Sequence, residues 1–200
     1  TPERQYFTID LSRTEFESLR ENAPGQRDIA HRTMSYSPST PGAVTADLAT
    51  PSGDPNGCTA AAYGDGADLT GRIALVSRGV CSFGEKALAA GAVNAEAVIV
   101  YNNVPGALNG TLGGVNAGHV PATGVTQAEG QALLDKLADG PVNVTLEIET
   151  FHGEVETFNV IAETSKGRTD NVVMAGAHLD GAFEGAGIND NGSGSGAILE

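Results

Sequence analysis

Tryptophan is absent from the 200 residues, and aromatic side chains make up only 5%. The core must therefore be built from Val, Ile, Leu and Ala. Basic residues are scarce: 11 Lys and Arg stand against 25 Asp and Glu, a net charge of −14 at pH 7. A chain of that sign repels phosphate backbones and anionic bilayers, which argues against nucleic acid or a membrane surface as partner. The acidic residues are scattered rather than blocked, the pattern of a solvated surface. No apolar run approaches the length of a membrane span. The residues after Thr1 are polar, so no signal peptide is visible. Cysteine occurs only at Cys58 and Cys81. In an acidic, glycine-rich chain the pair suggests one disulfide and an oxidising compartment. Two buried free thiols are the other reading, and spacing does not separate the two. Familiar catalytic signatures are missing too: there is no HExxH, no GxSxG and no Gly-Lys-Ser/Thr phosphate loop. A calcium loop counted from Asp190 would need oxygen side chains where Gly192 and Gly194 stand.

What is present is 40% hydrophobic residues, enough for a core, with 27 Gly and 9 Pro that imply many tight turns. Residues 6–11 (YFTIDL) alternate as a half-buried strand does, and residues 14–20 read as a short helix. Residues 21–57 look mostly irregular, with a strand at 43–48. The clearest stretch follows. Residues 72–77 (RIALVS) and 97–101 (AVIVY) read as buried strands. Between them, Ser82 with Glu85 three residues on forms a capping box that opens a helix. Phe83, Ala87 and Ala90 share one face of it. Strand, helix and strand make a right-handed βαβ unit. Residues 120–125 read as another strand. Thr126 and Glu129 repeat the capping pattern, Leu133, Leu134 and Leu137 supply an apolar stripe, and Gly140 ends that helix. Residues 142–148 alternate as a strand. A domain boundary is expected at 151–156, then a strand at 158–162. Residues 171–177 (NVVMAGA) are apolar enough for the centre of a sheet covered on both faces.

His178 sits where that last run ends, and ligand sites of open α/β sheets gather at the carboxyl ends of strands. Asp180, two residues on, points the same way if the chain stays extended. There it can accept the second ring N–H of a metal-bound histidine. Asp190 follows 12 residues after His178 in a glycine-rich loop. Imidazole nitrogen and carboxylate oxygen are ordinary zinc ligands. A histidine at a strand end that is merely hydrogen-bonded is the plainer reading, and the spacing leaves both open.

The string NVIAETSKGRTDNVVMAGAHLDGAFEGAGINDNGSGSGAILE, residues 159–200, resembles the opening of the catalytic domain of the co-catalytic di-zinc aminopeptidases of metallopeptidase clan MH. The segment GCTAAAYGDGADLTGRIALVSRGVCSFGEKA, with AVIVYNN and HVPATGV after it, is similar to the protease-associated (PA) domain often inserted in that family. The resemblance implies an α/β (α+β) chain in three parts. Residues 1–44 would be a lead-in, 45–152 a PA domain with a βαβ unit and flanking short helices, and 153–200 the first strands and helix start of a zinc-peptidase domain. It implies that His178 ligates one zinc, that Asp190 bridges both, and that Asp180 orients His178. It implies a cis Asp190–Asn191 peptide and a Cys58–Cys81 disulfide. The family's general-base glutamate and remaining ligands lie further along than Glu200, so the 200 residues alone are expected to bind zinc weakly or not at all and to be inactive. Two positions depart from the family pattern. Gly181 stands where many relatives have Ser, and Asn94 where they have Gly, although Asn tolerates the left-handed conformation. The implied whole protein is a secreted aminopeptidase acting on peptide or protein substrates, its PA domain a lid or a contact surface for the catalytic domain or another protein. The alternative is a PA-domain interaction module without catalysis.

Overall fold

The computed structural model describes residues 1–181 and 185–200. These fall into two compact units, residues 6–157 and residues 1–5 with 158–200. Two long strands, β1 (Glu3–Ala23) and β8 (Asn143–Ile161), have residues in both.

The larger unit is organised by its apolar runs. β5 (Arg72–Ser77) and β6 (Ala97–Tyr101) pair in parallel, with Ile73 opposite Ala97 and Ser77 opposite Tyr101. Period-2 alternation sends Ala74, Val76, Val98 and Val100 to one face and Ile73, Leu75, Ala97 and Ile99 to the other. Each face needs a cover. Helix α1 (Phe83–Ala92) supplies Ala87 and Ala90 to the first core, and α2 (Gln127–Asp139) supplies Leu133 to the second. β4 (Val44–Ala49) and β7 (Ala122–Val125) extend the parallel set on either side. β2 (Arg27–Asp28) and β3 (His31–Thr33) complete an eight-stranded sheet among the described residues, ordered β2-β1-β8-β4-β5-β6-β7-β3. The architecture is α/β, with antiparallel strands flanking a parallel centre.

Both helices start as their sequences require, with one difference. At α1 the box is complete: Ser82 Oγ accepts from the Glu85 N–H, and Glu85 Oε2 accepts from the Ser82 N–H at 2.8 Å. At α2, Thr126 Oγ1 accepts from the Glu129 N–H, but the Glu129 carboxylate does not reach back. It takes a bidentate bond from Arg27 instead, at 3.0 and 2.6 Å, because a guanidinium offers two charged donors where Thr126 offers one neutral N–H. Arg27 also donates to Glu21, which is fully buried at the end of β1 and accepts from Lys136 at 2.6 and 2.7 Å and from the Gly25 N–H. This network ties β1, β2 and α2 together.

Three expectations are corrected. Residues 14–20 are not helical but part of β1. Their carbonyls and side chains are committed to sheet contacts: Leu19 O accepts from the Ile29 N–H and Glu17 from the Thr33 N–H. A seven-residue helix has little stability of its own to set against those bonds. The strands at Arg27–Asp28 and His31–Thr33 lie in a stretch read as irregular, being too short to carry a period-2 signal. Residues 171–177 form no strand, and Val172, Val173 and Met174 are 75%, 92% and 84% exposed. A buried strand needs neighbours along both edges and apolar layers on both faces, and none reaches this run among the described residues.

Asn94 adopts the left-handed conformation (φ 60°) at the end of α1, which an Asn tolerates. Cys58 and Cys81 are joined, with Cα atoms 5.9 Å apart, which decides between the two readings left open by spacing. Closing that loop contributes about 3 kcal/mol on the chain-entropy model. Gly130 of α2 lies so close to β6 that any Cβ there would overlap Tyr101. Gly130→Ala is therefore expected to lower stability by about 1–3 kcal/mol despite the better helix propensity of Ala. Denaturant unfolding checks this, and an unchanged or raised midpoint would contradict the close approach.

Candidate metal centre

The second unit holds the chemistry-bearing motif on its backbone turns. After residues 171–181, which are extended or irregular, the chain reaches a wide turn at Ile188–Gly192 and then α3 (Ser193–Leu199). Ala182, Phe183 and Glu184 lie outside the described residues. Gly187 enters the turn left-handed (φ 61°), a conformation that a side chain would disfavour, and its carbonyl accepts from the Gly192 N–H at 2.9 Å. Inside the turn Asp190 and Asn191 leave helical geometry (φ −123° and −132°), and the peptide between them is cis. The turn thereby aims the Asp190 carboxylate back at residue 178.

The structure brings His178, Asp180 and Asp190 together. His178 Nε2 lies 3.0 Å from Asp190 Oδ1. Its Nδ1 lies 3.0 Å from the Asp180 carbonyl oxygen and 3.1 Å from Asp180 Oδ1. The hydrogen bond to the Asp180 carbonyl, with the charges of Asp180 and Asp190 behind it, holds the imidazole pKa above its ordinary 6.5. Ser195 Oγ donates to the His178 carbonyl at 3.2 Å and so ties α3 to the histidine. Sequence reading missed Ser195; the only signal for it is a serine in the GSGSG run. These residues line a cleft of about 420 Å³ together with Gly181, Gly187 and Asn191.

The donor chemistry fits zinc as far as it goes. An imidazole nitrogen and a carboxylate oxygen 3.0 Å apart are close to the spacing of two ligands sharing one zinc, each about 2.0–2.2 Å from the metal. A complete site takes three or four protein ligands. Among the described residues no group of three or more His, Cys, Asp or Glu could hold a metal ion. Two side chains fall short of such a set.

Residues 44–133 match the PA domain family, and residues 159–200 match peptidase family M28. The stretch around His178 and Asp190 thus resembles peptidase family M28, and the stretch before it resembles a PA domain. Leucine aminopeptidase 2 of Trichophyton rubrum is 47% identical over 178 residues, 89% of this chain and 35% of the relative. The probable leucine aminopeptidase 2 of Aspergillus oryzae is 40% identical over 173 residues, 85% of this chain and 34% of the relative. Among solved structures, an aminopeptidase from Aneurinibacillus sp. strain AM-1 is similar with a TM-score of 0.73 and 33% identity, over 100% of this chain and 48% of that one. A zinc aminopeptidase from Bacillus subtilis is similar with a TM-score of 0.69 and 29% identity, over 100% and 46%. The chain spans about a third of the length of the curated relatives it matches. The cleft around His178 and Asp190 lies wholly within the M28 segment. No helix among the described residues is long and apolar enough to cross a membrane.

Proposed function

We propose that this chain is part of a secreted zinc aminopeptidase that releases N-terminal residues from peptides, with two zinc ions at a centre to which His178 and Asp190 contribute. The observation that carries this reading is the convergence of His178 Nε2 and Asp190 Oδ1 in the M28 segment. Relatives named as leucine aminopeptidases and a neighbour named as a zinc aminopeptidase support it.

In this reading His178, through Nε2, and the Asp190 carboxylate would hold the zinc. Asp180 accepts from Nδ1–H, which fixes the tautomer with its lone pair on Nε2 and raises the basicity of that nitrogen. Bound zinc supplies an acidified water and polarises the scissile carbonyl. The PA domain serves as a lid or contact surface for the peptidase domain. A PA module acting without catalysis is the less favoured reading, because identity to the aminopeptidases runs through both segments.

The test is turnover by the full-length protein. A peptide with a free N-terminus is expected to lose its first residue, and an N-acetylated copy to be left intact. A chelator is expected to abolish the reaction and zinc to restore it. Equal cleavage of the capped peptide, or turnover that survives complete metal removal, would contradict the proposal.

A further inference from the structure

In the larger unit a lysine is buried against the disulfide. Lys86 lies on α1 with no exposed surface. Its ammonium donates to Asn56 O at 2.6 Å and Gly79 O at 3.1 Å, and it lies 3.9 Å from Cys58 Sγ. Burying an unpaired ammonium is costly, so the site must return something for it. Burial pushes the Lys86 pKa below its ordinary 10.5, and the Asp54 and Glu85 carboxylates oppose that shift. The two carbonyl acceptors favour the charged form as well.

The other half of the bridge is set differently. Gly79 O also accepts from the Cys81 N–H at 2.8 Å, closing a three-residue turn around Val80. Val80 sits at φ 64°, in the left-handed region that a β-branched residue rarely occupies, with its side chain 90% exposed. Cys81 therefore leaves a strained turn with an exposed tip, whereas Cys58 faces a cation, and both cysteines are half-buried. The two sulfurs are chemically unequal. A neighbouring ammonium lowers thiol pKa, and in thiol–disulfide exchange the sulfur of lower pKa leaves faster.

We propose that the Cys58–Cys81 bridge is a polarised site for exchange with small monothiols, attacked at Cys81 and released at Cys58. An incoming thiolate forms a bond to Cys81 Sγ as the Cys58–Cys81 bond breaks. The electron pair of the broken bond goes to Cys58, which leaves as a thiolate accepting a hydrogen bond from Lys86. The products are a mixed disulfide on Cys81 and one free thiolate, with no other reactant needed. Release of Cys81 also frees the Gly79–Cys81 turn to relax.

The experiment treats the full-length native protein with reduced glutathione, quenches in acid, alkylates free thiols with N-ethylmaleimide and maps both positions by peptide mass spectrometry. Glutathione is expected on Cys81 and maleimide on Cys58, in a ratio of roughly ten to one. Lys86→Met is expected to bring the ratio near one and to slow exchange by roughly tenfold. A second variant works independently of Lys86→Met. In Cys81→Ser, the remaining Cys58 is expected to alkylate with a pH midpoint below the ordinary thiol value of about 8.5. Glutathione on Cys58, an even distribution, no adduct on the native protein, or a Cys58 midpoint at or above about 8.5 would each overturn the proposal.

Discussion

Glu21→Gln is expected to cost about 3 kcal/mol of stability. The Glu21 carboxylate is fully buried and accepts from Lys136, Arg27 and the Gly25 N–H. The amide replacement turns one acceptor into a donor facing two cations. Removing one partner of a buried ion pair costs about 3–5 kcal/mol, because the others are left uncompensated. The lower end applies here, since Lys136 and Arg27 keep about a third of their side-chain surface and can rehydrate in part. The loss corresponds to a fall of about 6–12 °C in thermal midpoint for a unit of this size. The network also gives a pH dependence. Burial raises the Glu21 pKa, but the bonds from Lys136, Gly25 and Arg27 outweigh it and leave the pKa below its ordinary 4.5. A depressed folded-state pKa adds stability above the unfolded pKa, and that stability is lost as pH falls through the folded value. The wild type is therefore expected to lose stability on acidification below about pH 4.5 with a steeper slope than Glu21→Gln. A midpoint change under about 1 kcal/mol, or parallel pH profiles, would show that the cations resolvate without penalty.

If the proposed activity holds, Asp180→Asn in the full-length protein is expected to lower zinc affinity and kcat/KM together by about 10–100-fold. Asp180 reaches His178 Nδ1 through both its carbonyl and its carboxylate. The substitution keeps the carbonyl contact and the side-chain shape but removes the charge that makes the imidazole a better donor to metal. Its side chain is 89% exposed, so the unfolding midpoint is expected to stay within about 0.5 kcal/mol. That combination separates a residue positioning the metal ligand from one that supports the fold. Zinc titration and steady-state kinetics on the same preparations check it. Unchanged zinc affinity with a lowered midpoint would reassign Asp180 to structure.

The parts of this chain that were legible from sequence are those where local signals and tertiary packing agree. β5, α1 and β6 combine apolar runs, a complete capping box and an apolar helix face, and the two cores on either side of the sheet use those residues. Residues 14–20 were misread because a short mixed stretch fits a helix or a strand equally well, and pairing partners distant in sequence decide between them. The Glu129 carboxylate was misassigned for a similar reason: Arg27, 102 positions away, competes for it. Residues 171–177 carried a true apolar signal, but hydrophobicity states a need for burial and not its fulfilment. At the site, His178 and Asp180 are near neighbours that a local pattern can flag. Asp190 reaches His178 across the turn entered by the left-handed Gly187, so the 12-residue spacing could raise the partnership but not decide it, and the family resemblance implied it. Ser195 acts through a backbone carbonyl, a contact with no sequence signature of its own.

Zinc content and turnover, measured side by side in the full-length protein, His178→Ala and Asp190→Ala, decide whether these two residues hold the metal. The wild type is expected to carry zinc and cleave peptides with free N-termini, and each variant to lose bound zinc and turnover together. Wild-type zinc content and turnover retained in either variant would show that the metal is held elsewhere.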